Sequence, residues 1–365
     1  MVWVLQQLQI DDLKPSGREL VGPCPRCGGD DRFSVNPGKN QFLCRKCESD
    51  GGKGDCIALV MFVRCLTFRE ALTWLCGPAQ EISDAERQLR AAVAETSEKQ
   101  RQADEARRRS VAIREAQVIW QAGLPPEDTL VRAYLTLRGI GRAALPRLPA
   151  CLRFHRSLPY MVKQGGEWLE VYRGPAMLAA IQNVAGRFSA VHRTWLDLRE
   201  PKGKIRLSHA GTTLAAKKGW GSKKGGAIRL QTPPGADTLI MGEGIETTLT
   251  PLAVGAGAGA AFWAGIDLGN MSGRQLSGPG LRYAGLPDLS DGLAFVPPVW
   301  VRRLIFIQDG DSEPHETASR MRAGLRRAMA LRPGLRGQVV CCPPGSDLND
   351  VLLGVGSMAE DISDG

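Results

Sequence analysis

The chain has 365 residues, of which 43% are hydrophobic and 23% are charged. This apolar content is sufficient for a core and, at this length, for more than one domain, which excludes a chain disordered throughout. The formal net charge of +9 favours a polyanionic partner such as nucleic acid. No signal-peptide pattern and no apolar run long enough to span a membrane is visible, so we expect a cytoplasmic protein with no membrane partner.

Cysteine spacing provides the strongest local signal. In a reducing cytosol the ten cysteines are not expected to form disulfides. Cys24 and Cys27 form one pair two residues apart, and Cys44 and Cys47 form a second. Two such pairs are typical of a structural Zn²⁺ site with four thiolate ligands. The remaining cysteines lie in apolar surroundings and are predicted to pack in cores: Cys56, Cys65, Cys76, Cys151, Cys341 and Cys342.

The segment between the two cysteine pairs predicts two short strands, at residues 28–36 and 41–43. They would place basic residues beside the aromatic side chains of Phe33 and Phe42. Such a surface suits a single nucleic acid strand, whose phosphates attract cations and whose bases stack on rings. Alternatively, both phenylalanines form the minimal core of the ribbon. The candidate nucleic-acid contacts are Arg32, Phe33 and Lys46, with Lys39 and Arg45 nearby.

A charged segment then separates the N-terminal module from the rest of the chain. Residues 81–115 contain eight acidic and eight basic residues and no Pro or Gly, which predicts a solvated helix. The predicted organisation is therefore a zinc-ribbon domain at 1–80 and a charged helical linker at 81–123. A new domain begins after the turn residues that follow Gly123.

Residues 124–235 predict a basic α+β region with strands at residues 168–172 and 188–192. From Arg199 to Arg229, nine Lys or Arg residues accompany one acidic residue, Glu200. We interpret this concentration of charge as a track for template or incoming triphosphate, the alternative being a flexible solvated loop. The candidate binding residues are Arg193, Lys217, Lys218, Lys223 and Lys224.

The last third alternates strands and helices, which predicts an α/β domain with a mostly parallel sheet at 236–352, followed by an acidic tail at 353–365. Strands are expected at residues 237–241, 261–266, 303–308 and 337–342, and helices at 246–254 and 315–331. The glycines at 255–259 follow a helix and do not match a dinucleotide-binding motif. No phosphate-binding loop of the helicase ATPase type occurs either.

Carboxylates follow two of these strands. Glu243 comes directly after the first, and Asp309 and Asp311 end the third. Carboxylates that converge at one sheet edge repel one another unless a hard cation such as Mg²⁺ or Mn²⁺ binds them. Taken singly, the motifs have simpler explanations, because Asp-x-Asp is common on surfaces and Asp311 or Ser312 would serve to cap the following helix.

The N-terminal motifs resemble the zinc ribbon of DnaG-type and satellite-phage alpha-type primases. The resemblance runs from about Ser16 to Gly77 and rests on Cys-Pro-x-Cys-Gly-Gly, Asp-Arg-Phe, Phe-x-Cys-x-x-Cys and the Gly-Gly-x-Gly-Asp that precedes a helix. Ribbons of this kind help to select the template site. The four-cysteine ligand set, without the histidine usual in the DnaG group, indicates the phage and plasmid branch.

The carboxylate motifs resemble the Toprim domain of primases, topoisomerases and certain nucleases, over about residues 237–350. The resemblance implies that Glu243 acts in acid/base chemistry or metal binding and that Asp309 and Asp311 hold Mg²⁺. Asp347, in Ser-Asp-Leu-Asn-Asp, is a further ligand candidate. The turn at Gly310 and residues 312–314 departs from the Asn-rich form that many members carry.

The complete order resembles that of a multidomain α/β and α+β primase without its helicase. The segment at 190–196 also resembles the region before the Toprim domain in mobile-element primases. The sequence therefore predicts a primase that joins ribonucleoside triphosphates on single-stranded DNA in the replication of a phage, plasmid or other mobile element, with a separate helicase. The alternatives are a RecR-like recombination mediator, which also combines a four-cysteine motif with a Toprim domain, and a Toprim nuclease.

Overall fold

A computed structural model describes residues 1–77, 83–310, 313–343 and 345–354. The chain forms two compact units, Met1–Glu98 and Lys99–Gly365. The division falls inside the long charged helix, whereas the sequence predicts a linker that spans the whole helix. Residues 355–365 of the predicted acidic tail lie outside the described residues.

The first unit is a small antiparallel sheet with short helices. Its core contains the stacked rings of Phe33, Phe42 and Phe62, with ring centroids 5.8 and 5.7 Å apart. Asp55 caps the second helix by accepting hydrogen bonds from two backbone N–H groups at its start. The elements are α1 (Val2–Gln7), β1 (Lys14–Ser16), β2 (Glu19–Cys24), β3 (Gly28–Asn36), β4 (Gln41–Cys44), β5 (Lys53–Gly54), α2 (Cys56–Arg64) and α3 (Phe68–Cys76), and the strands follow one another in sequence order.

The predicted charged helix is α4 (Asp84–Gln121), whose 38 residues extend about 57 Å at 1.5 Å per residue. Most of its side chains are exposed. Near its C-terminal end, Ala116, Ile119 and Trp120 pack against the first sheet of the second unit. No helix among the described residues has the length and hydropathy needed to cross a membrane.

The second unit begins with α5 (Leu130–Leu137) and a four-stranded antiparallel sheet in the order β11-β8-β7-β6. The outer part of the β6–β7 hairpin bends back over one face of this sheet. There, the Tyr160 hydroxyl donates to the carbonyl of Ala215 at 2.9 Å, and Lys218 Nζ donates to the carbonyl of Met161 at 2.8 Å. The strands are β6 (Leu152–Gln164), β7 (Glu167–Gln182), β8 (Phe188–Trp195) and β11 (Lys217–Gly221), and the small hairpin of β9 (Leu207–His209) and β10 (Thr212–Leu214) precedes β11.

The C-terminal part contains the mostly parallel sheet that the strand pattern predicts. Its order is β12-β14-β13-β15-β16, in which β12 pairs antiparallel with β14 and the other described pairings are parallel. The edge strand β12 belongs to a segment that the sequence assigned to the basic region. The elements are β12 (Ile228–Gln231), β13 (Thr238–Gly242), α6 (Ile245–Ala253), β14 (Ala261–Ala264), α7 (Leu268–Ser272), β15 (Arg303–Gln308), α8 (Pro314–Leu331), β16 (Arg336–Cys341) and α9 (Leu348–Leu352).

Gly310 brings the loop before α9 to the end of β15. A Cβ atom at this position would lie 2.0 Å from the carbonyl oxygen of Pro343, so only glycine fits. Its N–H also donates to the carbonyl of Ser346 at 3.0 Å. The loop that precedes Asp347 is therefore held against the strand that ends before Asp309. Helix α8 is capped by Glu313, and the two residues that the sequence offered as caps, Asp311 and Ser312, lie outside the described residues.

The prediction that all six remaining cysteines pack in cores is wrong for three of them. Cys65, Cys76 and Cys341 are exposed, whereas Cys342 is buried. The exposed ones lie where elements end or meet solvent: Cys65 follows α2 with a left-handed φ of 55°, Cys76 ends α3, and Cys341 lies on an edge strand. A local apolar context therefore did not indicate burial at these positions.

Candidate functional site

The predicted zinc ligands converge. The Sγ atoms of Cys24, Cys27, Cys44 and Cys47 all lie within 4.8 Å of one another, and those of Cys27 and Cys44 are 3.6 Å apart. A tetrahedral zinc with bonds of about 2.3 Å requires sulfur–sulfur distances of about 3.8 Å. The four thiols therefore fit Zn²⁺, and Cys56 is not part of the cluster.

Because the thiols lie close together, their pKa values shift in opposite directions. Burial opposes ionisation of Cys27, but hydrogen bonds from Cys47, Cys24 and Cys44 lower its pKa to about 7. The hydrogen bond to Cys27, together with burial and the nearby sulfurs, raises the pKa of Cys47 to about 12. One thiolate thus forms at the expense of its neighbours, and four thiolates require a bound cation.

We expect one equivalent of zinc to copurify with the chain and Cys47→Ser to lose it. Because the fold of so small a module depends on metal, the first unit should then unfold while the second retains its structure. Metal analysis and limited proteolysis would measure the two effects. Cys76→Ser, which replaces an exposed thiol outside the cluster, is the matched control. Full zinc retention in a Cys24→Ser, Cys47→Ser double variant would contradict the assignment.

The ribbon residues predicted to contact nucleic acid are not all accessible. Phe33 is fully buried and Phe42 nearly so, so the prediction that Phe33 offers a stacking face is wrong. A module of this size needs both rings for its core. The Arg32 guanidinium lies across Gly29, close to Cys27, while Lys46 is exposed.

The second predicted centre forms a cleft of about 380 Å³ beyond the carboxyl ends of β13 and β15. Open α/β sheets bind their ligands at this edge. The lining has as many cationic as anionic side chains. The cations are Arg138, Lys202, Lys204 and Lys217, and the carboxylates are Glu243, Glu246, Asp309 and Asp347.

Glu243 and Asp309 both line this cleft. The Thr247 hydroxyl, in the first turn of α6, donates to the Asp309 carboxylate at 3.2 Å from Oδ1. Asp311, the third predicted acid, lies outside the described residues. In the described part of the chain, only the four cysteines form a group of three or more ligand atoms within 4.8 Å of one another.

The donor set at the cleft fits a hard divalent cation. Carboxylate oxygens are the ligands that Mg²⁺ prefers, and Mg²⁺ usually binds only one or two of them while retaining water or substrate phosphate. Glu243 and Asp309 would supply these oxygens, because they follow the neighbouring parallel strands β13 and β15 at the sheet edge where the cleft lies.

Asp347 lines the cleft, but its carboxylate has structural partners. It accepts from the N–H of Asp350 at 2.7 Å, which caps α9, and it lies 3.3 Å from the guanidinium of the buried Arg138. Lys202 Nζ is 3.9 Å away. These contacts favour a positioning role for Asp347 over direct ligation.

The most buried carboxylate in the cleft is that of Glu246, a residue that is 4% exposed. Its Oε1 lies 3.2 Å from Lys204 Nζ and its Oε2 lies 3.2 Å from Lys217 Nζ. The buried Tyr134 hydroxyl also donates to it. Burial opposes ionisation of Glu246, yet the two lysines hold its pKa well below the usual range. Glu246 therefore fixes the positions of two ammonium groups beside Glu243.

The pKa values of the two lysines shift in opposite directions. Burial and the proximity of Lys217 lower the pKa of Lys204 to about 8, although Glu246 opposes the change. The pKa of Lys217 is raised, because the attraction of Glu246 exceeds the effect of burial. His192 is neutral, since burial and Lys217 lower its pKa to about 3. The cleft therefore offers ammonium groups, and not imidazolium, to an anion.

The four lysines of the predicted basic track occupy separate places. Lys217 faces the cleft, while Lys218, its neighbour in β11, points to the opposite face of the sheet, as side chains alternate along a strand. Lys223 and Lys224 line another pocket, of about 480 Å³, in which Lys223 forms an ion pair with Asp267. One continuous lysine surface is therefore absent from the described residues.

Sequence reasoning missed Glu246, Lys204 and Tyr134. The local signal for Glu246 was its place three residues after Glu243, which puts it in the first turn of a helix that begins at the sheet edge. Tyr134 precedes Glu246 by 112 residues, and no pattern connects them. Lys204 was visible only as one of nine cations.

Comparisons with known proteins give the following likenesses. Residues 110–230, less than half of the chain, match a family described as "Domain of unknown function (DUF7146)". No curated protein matches. Among solved structures, a crystal structure of the Aquifex aeolicus primase (zinc-binding and RNA polymerase domains) is similar, with 14% identity, a TM-score of 0.35, and coverage of 97% of this chain and 80% of that chain.

Two further structures are similar over large parts of the chain. A DNA primase domain from Pseudomonas aeruginosa has 17% identity and a TM-score of 0.33, and the match covers 63% of this chain and 69% of that chain. The primase fragment of the bacteriophage T7 primase-helicase protein has 12% identity and a TM-score of 0.32, with 92% and 96% coverage.

Proposed function

We propose that this chain is a primase-like nucleotidyltransferase that joins ribonucleotides on single-stranded DNA in the replication of a mobile element. The observation that carries the proposal is the cleft at the parallel sheet edge. There, Glu243 and Asp309 lie beside Lys204 and Lys217, which a third carboxylate, Glu246, holds in place. Carboxylates for a divalent cation next to fixed ammonium groups for phosphates are the requirements of nucleotidyl transfer.

In the proposed reaction, the 3′-hydroxyl of the growing strand attacks the α-phosphorus of a nucleoside triphosphate. A new oxygen–phosphorus bond forms, the bond to the β-phosphate bridge breaks, and pyrophosphate leaves. Lys217 and Lys204 bind the β- and γ-phosphates and attract the departing pyrophosphate. Glu243 accepts the hydroxyl proton, or it completes the metal site and the proton passes to solvent water.

Glu243 and Asp309 would hold Mg²⁺ or Mn²⁺. Bound there, such an ion supplies positive charge that screens the triphosphate and the developing alkoxide. The Thr247 hydroxyl orients the Asp309 carboxylate, since it donates to both of its oxygens. Asp347 and Arg138 keep the opposite wall of the cleft in position through their ion pair.

The zinc-binding first unit supports a role on nucleic acid, and a separate helicase would open the duplex. A RecR-like mediator would carry a zinc motif and a related sheet without using these carboxylates in chemistry. Fixed lysines beside metal-binding carboxylates favour triphosphate chemistry over such a binding function. A nuclease would share the metal site but would not need ammonium groups placed for a triphosphate.

The decisive experiment is to incubate the protein with unlabelled single-stranded DNA, the four ribonucleoside triphosphates including labelled ATP, and Mg²⁺ or Mn²⁺. We expect short labelled RNA products that disappear when the divalent cation is chelated. DNA cleavage without labelled products would indicate the nuclease instead. Strand binding alone, with every template and both metals, would indicate the mediator and refute the proposal.

A further inference from the structure

A groove of about 840 Å³ lies on the opposite face of the antiparallel sheet from the cleft. We call it the tryptophan groove. It lies between the C-terminal part of α4 and the sheet, and its volume is within the range of about 300–1,000 Å³ typical of ligand sites. The side chains that matter here are Trp168, Trp220, Arg193, Lys218, His155 and Glu115.

Arg193 is the unusual group in this groove. Its residue surface is only 7% exposed, and among the described residues no ion pair joins its guanidinium to a carboxylate. One terminal nitrogen reaches the carbonyl of Gly219 at 3.5 Å, and its Nε is buried without a hydrogen-bond partner. A buried, unpaired guanidinium is costly, and an anion entering the groove would compensate it.

A second cation lies beside it. Lys218 faces Arg193 across the β8–β11 pairing, and its Nζ lies 4.1 Å from the centroid of the Tyr160 ring. This ammonium donates to the carbonyl of Met161, which leaves further donors for a ligand. The one carboxylate that lines the groove, Glu115, accepts a hydrogen bond from the indole of Trp220 at 3.1 Å. Burial and the Arg173 charge lower the pKa of His155, which disfavours a positive charge on this side chain.

The groove also presents aromatic surface. Trp168 and Trp220 form an edge-to-face pair with centroids 5.7 Å apart, and Trp168, near the tip of the β6–β7 hairpin, is 54% exposed. The Arg193 guanidinium lies over the Trp220 ring at 5.7 Å. An exposed indole that lines the same groove as two cations is suited to a flat ring attached to an anion.

We infer that the tryptophan groove binds single-stranded nucleic acid, with a base stacked on Trp168 and a backbone phosphate held by Arg193 and Lys218. This inference deepens the proposed function, because it names a surface that would hold the template. A double helix does not fit this chemistry, since its bases are already stacked on one another and cannot reach the indoles. An apolar peptide would leave the Arg193 charge uncompensated.

The test measures binding of fluorescein-labelled oligothymidylate without nucleotides and without added Mg²⁺ or Mn²⁺. Trp168→Ala should weaken binding roughly 5- to 140-fold, the range expected for one stacked base. Trp3→Ala, which removes an indole of similar exposure in the first unit, should have no such effect. Because Trp168 is half exposed, its removal should leave the fold intact.

Salt dependence tests the phosphate contact separately. Lys218→Gln should reduce the slope of log affinity against log salt by about 0.7, the value for one phosphate contact with a single strand. Lys163→Gln, which removes an exposed lysine from β6, should leave the slope unchanged. Trp168→Ala should weaken binding to duplex DNA less than it weakens binding to the single strand. An equal loss of affinity for both would overturn the stacking assignment.

The two proposals fail in different ways. If the wild-type protein joins no nucleotides but Trp168→Ala still loses strand affinity, the groove assignment stands and the primase proposal falls. If nucleotides are joined and Trp168→Ala matches Trp3→Ala in strand affinity and in KM for template, the groove assignment falls. Under both proposals, Trp168→Ala raises the KM for template and leaves kcat at saturating template unchanged.

Discussion

Asp309→Asn is expected to reduce the rate of nucleotide joining on the order of a thousandfold. It removes the negative charge that would bind the metal ion, and such an ion stabilises the transition state by several kcal/mol. The amide has the shape of the carboxylate and still accepts from Thr247, so the fold should persist. Affinity for single-stranded DNA should stay equal or rise slightly, since a negative charge is lost. Primer synthesis and strand binding, measured on the same preparation, separate the two effects.

Asp237→Asn is the matched control for this change. Asp237 is exposed and lies just before β13, at the opposite end of the strand that precedes Glu243. Asp237→Asn removes the same charge as Asp309→Asn but should leave the rate of nucleotide joining unchanged. Glu243→Gln should behave like Asp309→Asn. If Asp309→Asn retained wild-type primer synthesis, the assignment of Asp309 to the metal site would be wrong.

Glu246→Gln is expected to be the most destabilising isosteric change in the cleft. It leaves Lys204 and Lys217 without their shared carboxylate, and breaking a buried ion pair in this way costs about 3–5 kcal/mol. The low end of that range applies, because the Lys217 side chain is 37% exposed. Denaturant unfolding of the second unit would measure the loss. Glu316→Gln, which breaks an exposed pair with Arg320, should have little effect.

The pH dependence of stability gives an independent check on the role of Glu246. Its pKa is held below the usual 4.5, so its contribution to stability is present above pH 4.5 and is lost as the pH falls below that value. The stability difference between the wild type and Glu246→Gln should therefore shrink in acid. Adding Lys217→Met to Glu246→Gln should restore part of the loss, because it removes an unpaired cation. Strictly additive losses would contradict the shared ion pair.

Local patterns predicted most of the regular structure. The cysteine spacing, the uninterrupted charged helix and the alternation of apolar strands with helices each depend on residues close in sequence, and the structure contains all three. The placement of Glu243 and Asp309 at one sheet edge follows from the same pattern, because both come after strands of a parallel sheet.

The surroundings of individual side chains were harder to predict from the sequence. Phe33 was predicted as a stacking surface, but the small ribbon uses it as core, and the pattern of Phe and cations is the same in both cases. Glu246 acquires its role only when Tyr134 and two distant lysines pack around it. The tryptophan groove depends on the bend of the β6–β7 hairpin, which brings Trp168 to Trp220, and strand patterns do not encode that curvature.

Strand β11 has a consequence for how this gene can vary. Lys217 and Lys218 are adjacent in the sequence but belong to different surfaces, one beside the acidic cleft and one in the tryptophan groove. Under the two proposals, a substitution at Lys217 would affect nucleotide joining, and a substitution at Lys218 would affect binding of the template. A single-codon insertion early in this strand would turn each lysine to the other side and impair both proposed tasks at once. The two proposals therefore predict separate constraints on these neighbouring codons and a shared constraint on the length of the strand.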